Sequence, residues 1–388
     1  MRFKQLNREN TDSIKWALAK KQCKTKSSYV FSIADSDYET AKPIKTSLMK
    51  RVEHGAFGYV YQDEAYYSLI QNWYQKRYGC LIDTNDIQYA PSVINAIAVS
   101  IMSLTKIHDG IIIQPPVYHM FKQVIQDNNR LVIENKLKKD GLNYSIDYHQ
   151  LESLFKQGIR TILLCNPHNP VGRVWTKAEL ETLMTLVKQY HVLVIADEIH
   201  GDIIMPNHQF YSMAHFLDEY SKIMIISSPT KVFNLAGLNL AHMIIRDNNI
   251  RKKIKHAYQK LHLNSPNIFA LTALKSAYKD GEEWLDAQNK HIFQNYYLLK
   301  AFFKEKKEFI LYPMEGSYLA WIQLVNHIFT VDELIDKLHQ YGVFFSNGIK
   351  FGPAHDFFRI SLACSKEQLT KGLIQVDRCL RDIQKPLI

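Results

Sequence analysis

Between Ser47 and Gly281 the chain alternates short apolar runs with longer stretches in which apolar residues recur at helical spacing. The segments "GIIIQPP", "RLVIEN", "RTILLCNP", "HVLVIADE", "KIMIISSP" and "AHMIIRD" each carry an apolar run without polar alternation. That is the pattern of a strand buried on both faces. Between several of them lie amphipathic segments such as "TKAELETLMTLVKQY", whose Leu180, Leu183, Leu186 and Val187 share one helical face. Strand–helix alternation of this kind predicts an α/β domain built on a mostly parallel sheet.

After Gly281 the pattern changes. "EEWLDAQNKHIFQNYYLLKAFFKEKKE" reads as one long helix, "VDELIDKLHQY" as another, and "GVFFSNGIKFGPAHDFFRISLAC" as strand-rich. The first 46 residues contain no complete strand–helix unit. The expected division is therefore a large domain over 47–281 and a smaller α+β domain formed by 1–46 with 282–388.

Composition narrows the function classes. Hydrophobic residues make up 46% of the 388 residues and charged residues 22%, an ordinary globular balance. No run approaches the roughly 20 apolar residues of a membrane span, and "MRFKQLNRENTDSIKW" lacks the apolar stretch of a secretory signal. The expectation is a cytoplasmic protein with no membrane partner. Cys23, Cys80, Cys165, Cys364 and Cys379 are scattered and show no CxxC spacing, which gives neither a disulfide framework nor a metal site. The net charge of +10 is spread along the chain, with only short clusters such as "IRKKIKH". It reads as a solvated lysine-rich surface and not as a nucleic-acid footprint.

In an open α/β sheet, ligands gather at the carboxyl ends of the strands. "TILLC" runs into "NPHNPVG", "VLVIA" into Asp197 of "DEIHGD", and "IMIIS" into "SPTK", ending at Lys231. Singly, these are a turn, a helix cap and a surface lysine. Together they put an amide, a carboxylate and an amine at one edge of one sheet.

"NPHNPVG", "ADEIHGD" and "SSPTKVFNLAGL" resemble, in order and spacing, the strongest motifs of the fold type I pyridoxal-phosphate enzymes, the aspartate aminotransferase superfamily. Within it, "SIADSDYETAKPI" and "HGAFGYVYQDEAYY" resemble segments of the MalY/PatB-type cysteine C–S lyases. The resemblance implies a three-layer α/β sandwich binding pyridoxal 5′-phosphate. Lys231 is then the lysine that bonds the cofactor aldehyde, made nucleophilic by burial. Asp197 pairs with the ring nitrogen, Asn169 with the ring's phenolic oxygen, and Tyr118 stacks on the ring face. The phosphate falls to Ser228, Thr230 and the backbone N–H groups of Val93 and Ile94 at a helix start, and to Tyr59 from a neighbouring subunit, which implies a homodimer. Arg359 grips the substrate carboxylate, with Asn169, Tyr118 and Asp35 beside the substrate and Tyr38 near the pocket for the departing thiol. His200 stands where many aminotransferases carry a tyrosine, and is structural, bonded near the cofactor, or catalytic. Eight residues after Lys231, where many aminotransferases carry a phosphate-binding arginine, this chain has Asn239.

The implied activity is β-elimination from S-substituted L-cysteines, such as cystathionine, to thiol, pyruvate and ammonia. Two alternatives use the same residues or the same fold: an aminotransferase, and a regulatory protein that binds a transcription factor through the lyase fold.

Overall fold

The computed structural model describes residues 1, 3–23, 25, 27–325 and 329–383. Seven strands form the main sheet: β1 (Ile87–Ala90), β2 (Gly110–Ile113), β3 (Leu131–Glu134), β4 (Thr161–Cys165), β5 (Leu193–Asp197), β6 (Ile223–Ser227) and β7 (Ala241–Ile245). Their spatial order is β1-β7-β6-β5-β4-β2-β3. The run from β6 to β3 is parallel, whereas β7 lies antiparallel to both β6 and β1. All six predicted apolar runs are strands; β1 is an addition.

Burial explains the unbroken apolar runs. Every residue of β4, β5, β6 and β7 is buried. Successive side chains enter two different cores, as a pleated strand requires. Leu163, Ile195, Met224 and Met243 pack into one core with Ile97, Phe121 and Ile254 of the helices on that face. Leu164, Ala196, Ile225 and Ile244 pack into the other, with Leu180, Leu183 and Val187 of the amphipathic helix Lys177–Gln189. That helix starts at a capping box in which Thr176 and Glu179 satisfy one another's backbone N–H groups. The result is helix, sheet and helix in three layers.

A second, antiparallel sheet comprises β8 (Phe309–Leu311), β9 (Leu319–Leu324), β10 (Ser346–Asn347) and β11 (Phe357–Ser361), in the order β8-β9-β11-β10. The helices Glu282–Lys304, Val331–Gln340 and Lys366–Ile383 accompany it. The amino-terminal part joins this region: Tyr29–Val30 pairs in parallel with Val343–Phe344. We propose that 47–281 is the larger unit, and that 1–46 and 282–388 together form the smaller. Among the described residues, no helix is long and apolar enough to cross a membrane.

Candidate active site

A cleft of about 480 Å³ opens where β4, β5 and β6 end. Register puts Cys165 beside Asp197 and Asp197 beside Ile226. The turn after β4, the acid closing β5 and the turn after β6 therefore meet at one edge of the sheet. Gly172 shapes the first of these turns. It sits at φ +76°, and a Cβ there would lie 3.3 Å from the Cα of Met314.

Among the described residues, Asp197 is the one carboxylate that lines the cleft. Its Oδ1 accepts the Ile199 N–H at 3.1 Å, and no cation lies within ion-pair distance among the described residues. Burial pushes its pKa up to about 7, against the pull of the Ile199 amide and the Lys231 charge. Lys231 faces into the same space and donates from Nζ to the Ala34 carbonyl at 2.7 Å. Burial lowers its pKa; Asp35 opposes this, Arg359 reinforces it, and Asp197 opposes it.

Arg359 arrives from the other sheet, on β11, where it pairs with Trp321 and Ser346. Its guanidinium donates to Asn169 Oδ1 at 2.9 Å and to the Ser32 carbonyl at 3.0 Å, and stands 4.5 Å from the centre of the Phe351 ring. Nε has no partner, and no carboxylate pairs with this buried cation among the described residues. Burial lowers its pKa to about 10, with Tyr118 and Tyr318 opposing. Because Asn169 accepts from Arg359, its amide nitrogen is the group left to donate into the cleft.

The helix Val93–Leu104 points its amino end at the cleft. Ser92 caps it by accepting the Asn95 N–H at 3.1 Å. Val93 and Ile94, the first two helical residues, have no carbonyl within the helix for their own N–H groups. Thr230 and Tyr118 also line the cleft. So does His200, whose ring meets Tyr318 edge-on at 5.7 Å and 85°. Burial and the charges of Lys231 and Arg359 lower the His200 pKa to about 3, so the imidazole is neutral.

Four predicted residues stand apart. Ser228 lies behind the wall; its hydroxyl donates to the Leu240 carbonyl and sits 2.8 Å from the Thr230 hydroxyl. Asp35 is turned toward Arg8, 2.7 Å from its guanidinium, although its neighbour Ala34 lines the cleft. Tyr38 is buried and donates to Gln288 at 2.9 Å. Tyr59 is fully exposed, away from the cleft.

The lining also includes residues the sequence reading misses, among them Leu18, Ser32, Ser92, His119, Ser346, Lys350 and Phe351. Ser92 carries a usable signal, a serine just ahead of an apolar helical run. His119 adjoins the predicted Tyr118, and no local pattern marks the rest.

The sequence family described as aminotransferase class I and II matches residues 30–376. The chain belongs to this family. It is 32% identical to the cystathionine beta-lyase PatB of Bacillus subtilis, over 97% of this chain and 99% of that protein. It is 29% identical to the protein MalY of Escherichia coli, over 98% and 99% respectively. The crystal structure of cystalysin from Treponema denticola, which contains a pyridoxal 5′-phosphate cofactor, superposes with a TM-score of 0.95 at 28% identity, covering 99% of both chains.

The site suits that cofactor on its own terms. A buried carboxylate with no cation beside it among the described residues matches a protonated ring nitrogen. Helix amides without an acceptor within the helix match a phosphate, and a desolvated amine matches an aldehyde. The family's cofactor, pyridoxal phosphate, fits the residues present.

Proposed function

We propose that this chain is a pyridoxal-phosphate-dependent carbon–sulfur β-lyase that cleaves S-substituted L-cysteines, cystathionine among them, to a thiol, pyruvate and ammonia. The observation that carries the reading is the sharing of one cleft by Lys231, Asp197 and an Arg359 that has no acidic partner among the described residues. The names of the full-length relatives favour elimination over amino transfer.

The Val93 and Ile94 amides and the Thr230 hydroxyl, which Ser228 orients from behind, would hold the cofactor's phosphate. Asp197, Asn169, Tyr118 and the neutral His200 would hold its ring, and Lys231 would bond its aldehyde. When bound, pyridoxal phosphate supplies an electron sink for negative charge at the substrate Cα. Asp197 keeps a proton at the ring nitrogen. Arg359 takes the substrate α-carboxylate through its planar fork, which fixes the Cα–H bond relative to Lys231. Lys231 then removes the Cα proton at Nζ, an act that requires a neutral amine and is favoured by its burial. Loss of the β-sulfur as a thiolate follows, and the protein need only hold the carboxylate while it departs. Asp35 stays on the Arg8 side, where it steadies the Ala34 segment.

We place the protein in the cytoplasm as a homodimer. Exposed Phe57, Tyr59 and Tyr61 support the dimer, because three large rings on one open segment call for a covering surface. In this arrangement Tyr59 reaches the phosphate of the partner's site. Sedimentation at twice 45.3 kDa is expected, and a monomer in the presence of cofactor rules the shared site out.

The functional test combines absorbance with product analysis. Purified protein given pyridoxal phosphate should show a visible band, and cystathionine should yield pyruvate and thiol in equal amounts. Conversion of the cofactor to its amine form without thiol means an aminotransferase. A protein that never takes up the cofactor leaves the regulatory reading in its place.

A further inference from the structure

The proposed reaction accounts for most of the charge in the cleft, but not for all of it. Lys231 faces the cofactor aldehyde, Arg359 the α-carboxylate and Asp197 the ring nitrogen. One cation is left over. Lys350 lines the same cleft and, among the described residues, enters no ion pair. His119 lines it as well. The His119 ring meets the Phe351 ring edge-on at 6.1 Å, and the Arg359 guanidinium stands 4.5 Å from the centre of that same ring, so basic groups gather around the residue next to Lys350.

Lys350 is set on a fixed platform. It belongs to the short 3₁₀ turn Gly348–Phe351, whose second amide is tied by Asn347, with Oδ1 accepting the Ile349 N–H at 3.0 Å. At the far end, the Phe351 carbonyl accepts the Val117 N–H at 2.8 Å, from the segment that carries Tyr118 and His119. The Phe351 ring is held between the Arg359 guanidinium and the edge of Trp321. Gly348 admits no side chain, since a Cβ would lie 2.3 Å from the Phe357 carbonyl oxygen and 2.4 Å from that of Ala354. Lys350 itself is exposed, and it lines the cleft alongside the apolar residues Leu18, Ile33 and Phe351.

Resting on the β-lyase reading, we infer that Lys350 is a specificity-determining residue for the leaving half of the substrate. The preferred S-conjugates are those whose departing thiol bears a carboxylate, which Lys350 receives while Arg359 holds the carboxylate on Cα. With Asp197 facing the ring nitrogen, the described residues of the cleft offer no second acid for a cationic leaving group, and its unassigned charge is positive. A thiol carrying only an ammonium should be the poorest substrate.

The experiment compares S-carboxymethyl-L-cysteine with its neutral isostere S-carbamoylmethyl-L-cysteine on the cofactor-loaded enzyme. One charge-assisted contact at a partly wet site predicts a kcat/KM ratio of roughly ten in favour of the carboxylate. Lys350→Met should bring that ratio to about one, and Lys350→Glu should reverse it. A ratio of one in the wild-type enzyme, or a ratio untouched by both substitutions, overturns the assignment. If neither compound releases thiol, the β-lyase reading fails. Calorimetric binding of the same two compounds to wild type and Lys350→Met then decides the role of Lys350 by the same ratio.

Discussion

The Nζ of Lys231 donates to the backbone carbonyl of Ala34 at 2.7 Å, joining the turn after β6 to the amino-terminal segment. A main-chain oxygen can orient an amine without the charge that would hold it protonated. Replacing Lys231 with alanine should therefore remove the base and leave the wall in place. Pyruvate release is expected to fall by at least about a thousandfold, since a positioned base and nucleophile are lost together. Far-ultraviolet circular dichroism should not change. A variant that retains a tenth of the wild-type rate would show that another group takes the Cα proton.

Asp197 makes the cofactor-free protein sensitive to alkali. Its folded pKa, near 7, lies above the unfolded value of about 3.9. The associated stability is complete below the unfolded value and is lost as pH rises through 7. The melting temperature of the cofactor-free protein should thus fall between pH 5 and pH 8. Asp197→Asn should flatten the fall, in part only, because buried Glu198, pushed up to about 8, contributes with the same sign. Equal slopes in wild type and variant would contradict the assignment.

His242 acts in the opposite direction. It is wholly buried on β7 between Tyr74 and Tyr278, with neither ring nitrogen hydrogen-bonded among the described residues, and burial lowers its pKa to about 3. Its unfolded pKa is about 6.5, so the stability tied to it is present above that value and lost as pH falls toward 3. His242→Leu should make thermal unfolding less acid-sensitive between pH 6.5 and pH 4. His200 and His168 are also depressed, to about 3 and about 4, so the variant should reduce the acid slope without abolishing it.

The amino-terminal helix Ile14–Gln22 is fastened by a buried ion pair. Lys15 Nζ lies 2.6 Å from Asp37, which also accepts the Trp16 indole N–H at 3.0 Å, and Leu18 on the same helix lines the cleft. Lys15→Met should destabilise the protein by about 3 kcal/mol, because it strips a buried carboxylate of its closest charge. Lys15→Met with Asp37→Leu should recover most of that loss in urea unfolding. No recovery would mean that Asp37 is held chiefly by Arg8 and Trp16.

The sheet is legible in the sequence wherever strands are buried on both faces, because an unbroken apolar run has few other uses. β1 escapes this rule, since Gln88 and Tyr89 interrupt a run of only four residues. The direction of β7 has no local signature, as its residues differ little from those of its parallel neighbours. The three strand-end groups are legible by position, and Arg359 through its motif alone. Lys350, Leu18 and Ser346 are not, because they reach the cleft only after the second sheet and the amino-terminal helix have closed on the first. Ser228 shows the same limit: the motif places it near the phosphate site, and only the fold shows that its hydroxyl also meets the Leu240 carbonyl.

The register that sets Cys165, Asp197 and Ile226 side by side has a cost hidden by the even burial of β5. A strand with one wet face resists slipping, because slippage would drown its apolar side chains. "LVIAD" carries no such safeguard, being apolar on both faces up to its last residue. Insertion of one apolar residue into β5 could therefore fold without complaint while turning Asp197 toward the opposite layer. Such a chain would be stable, compact and chemically mute, so solubility and yield are poor proxies for activity when this sheet is redesigned.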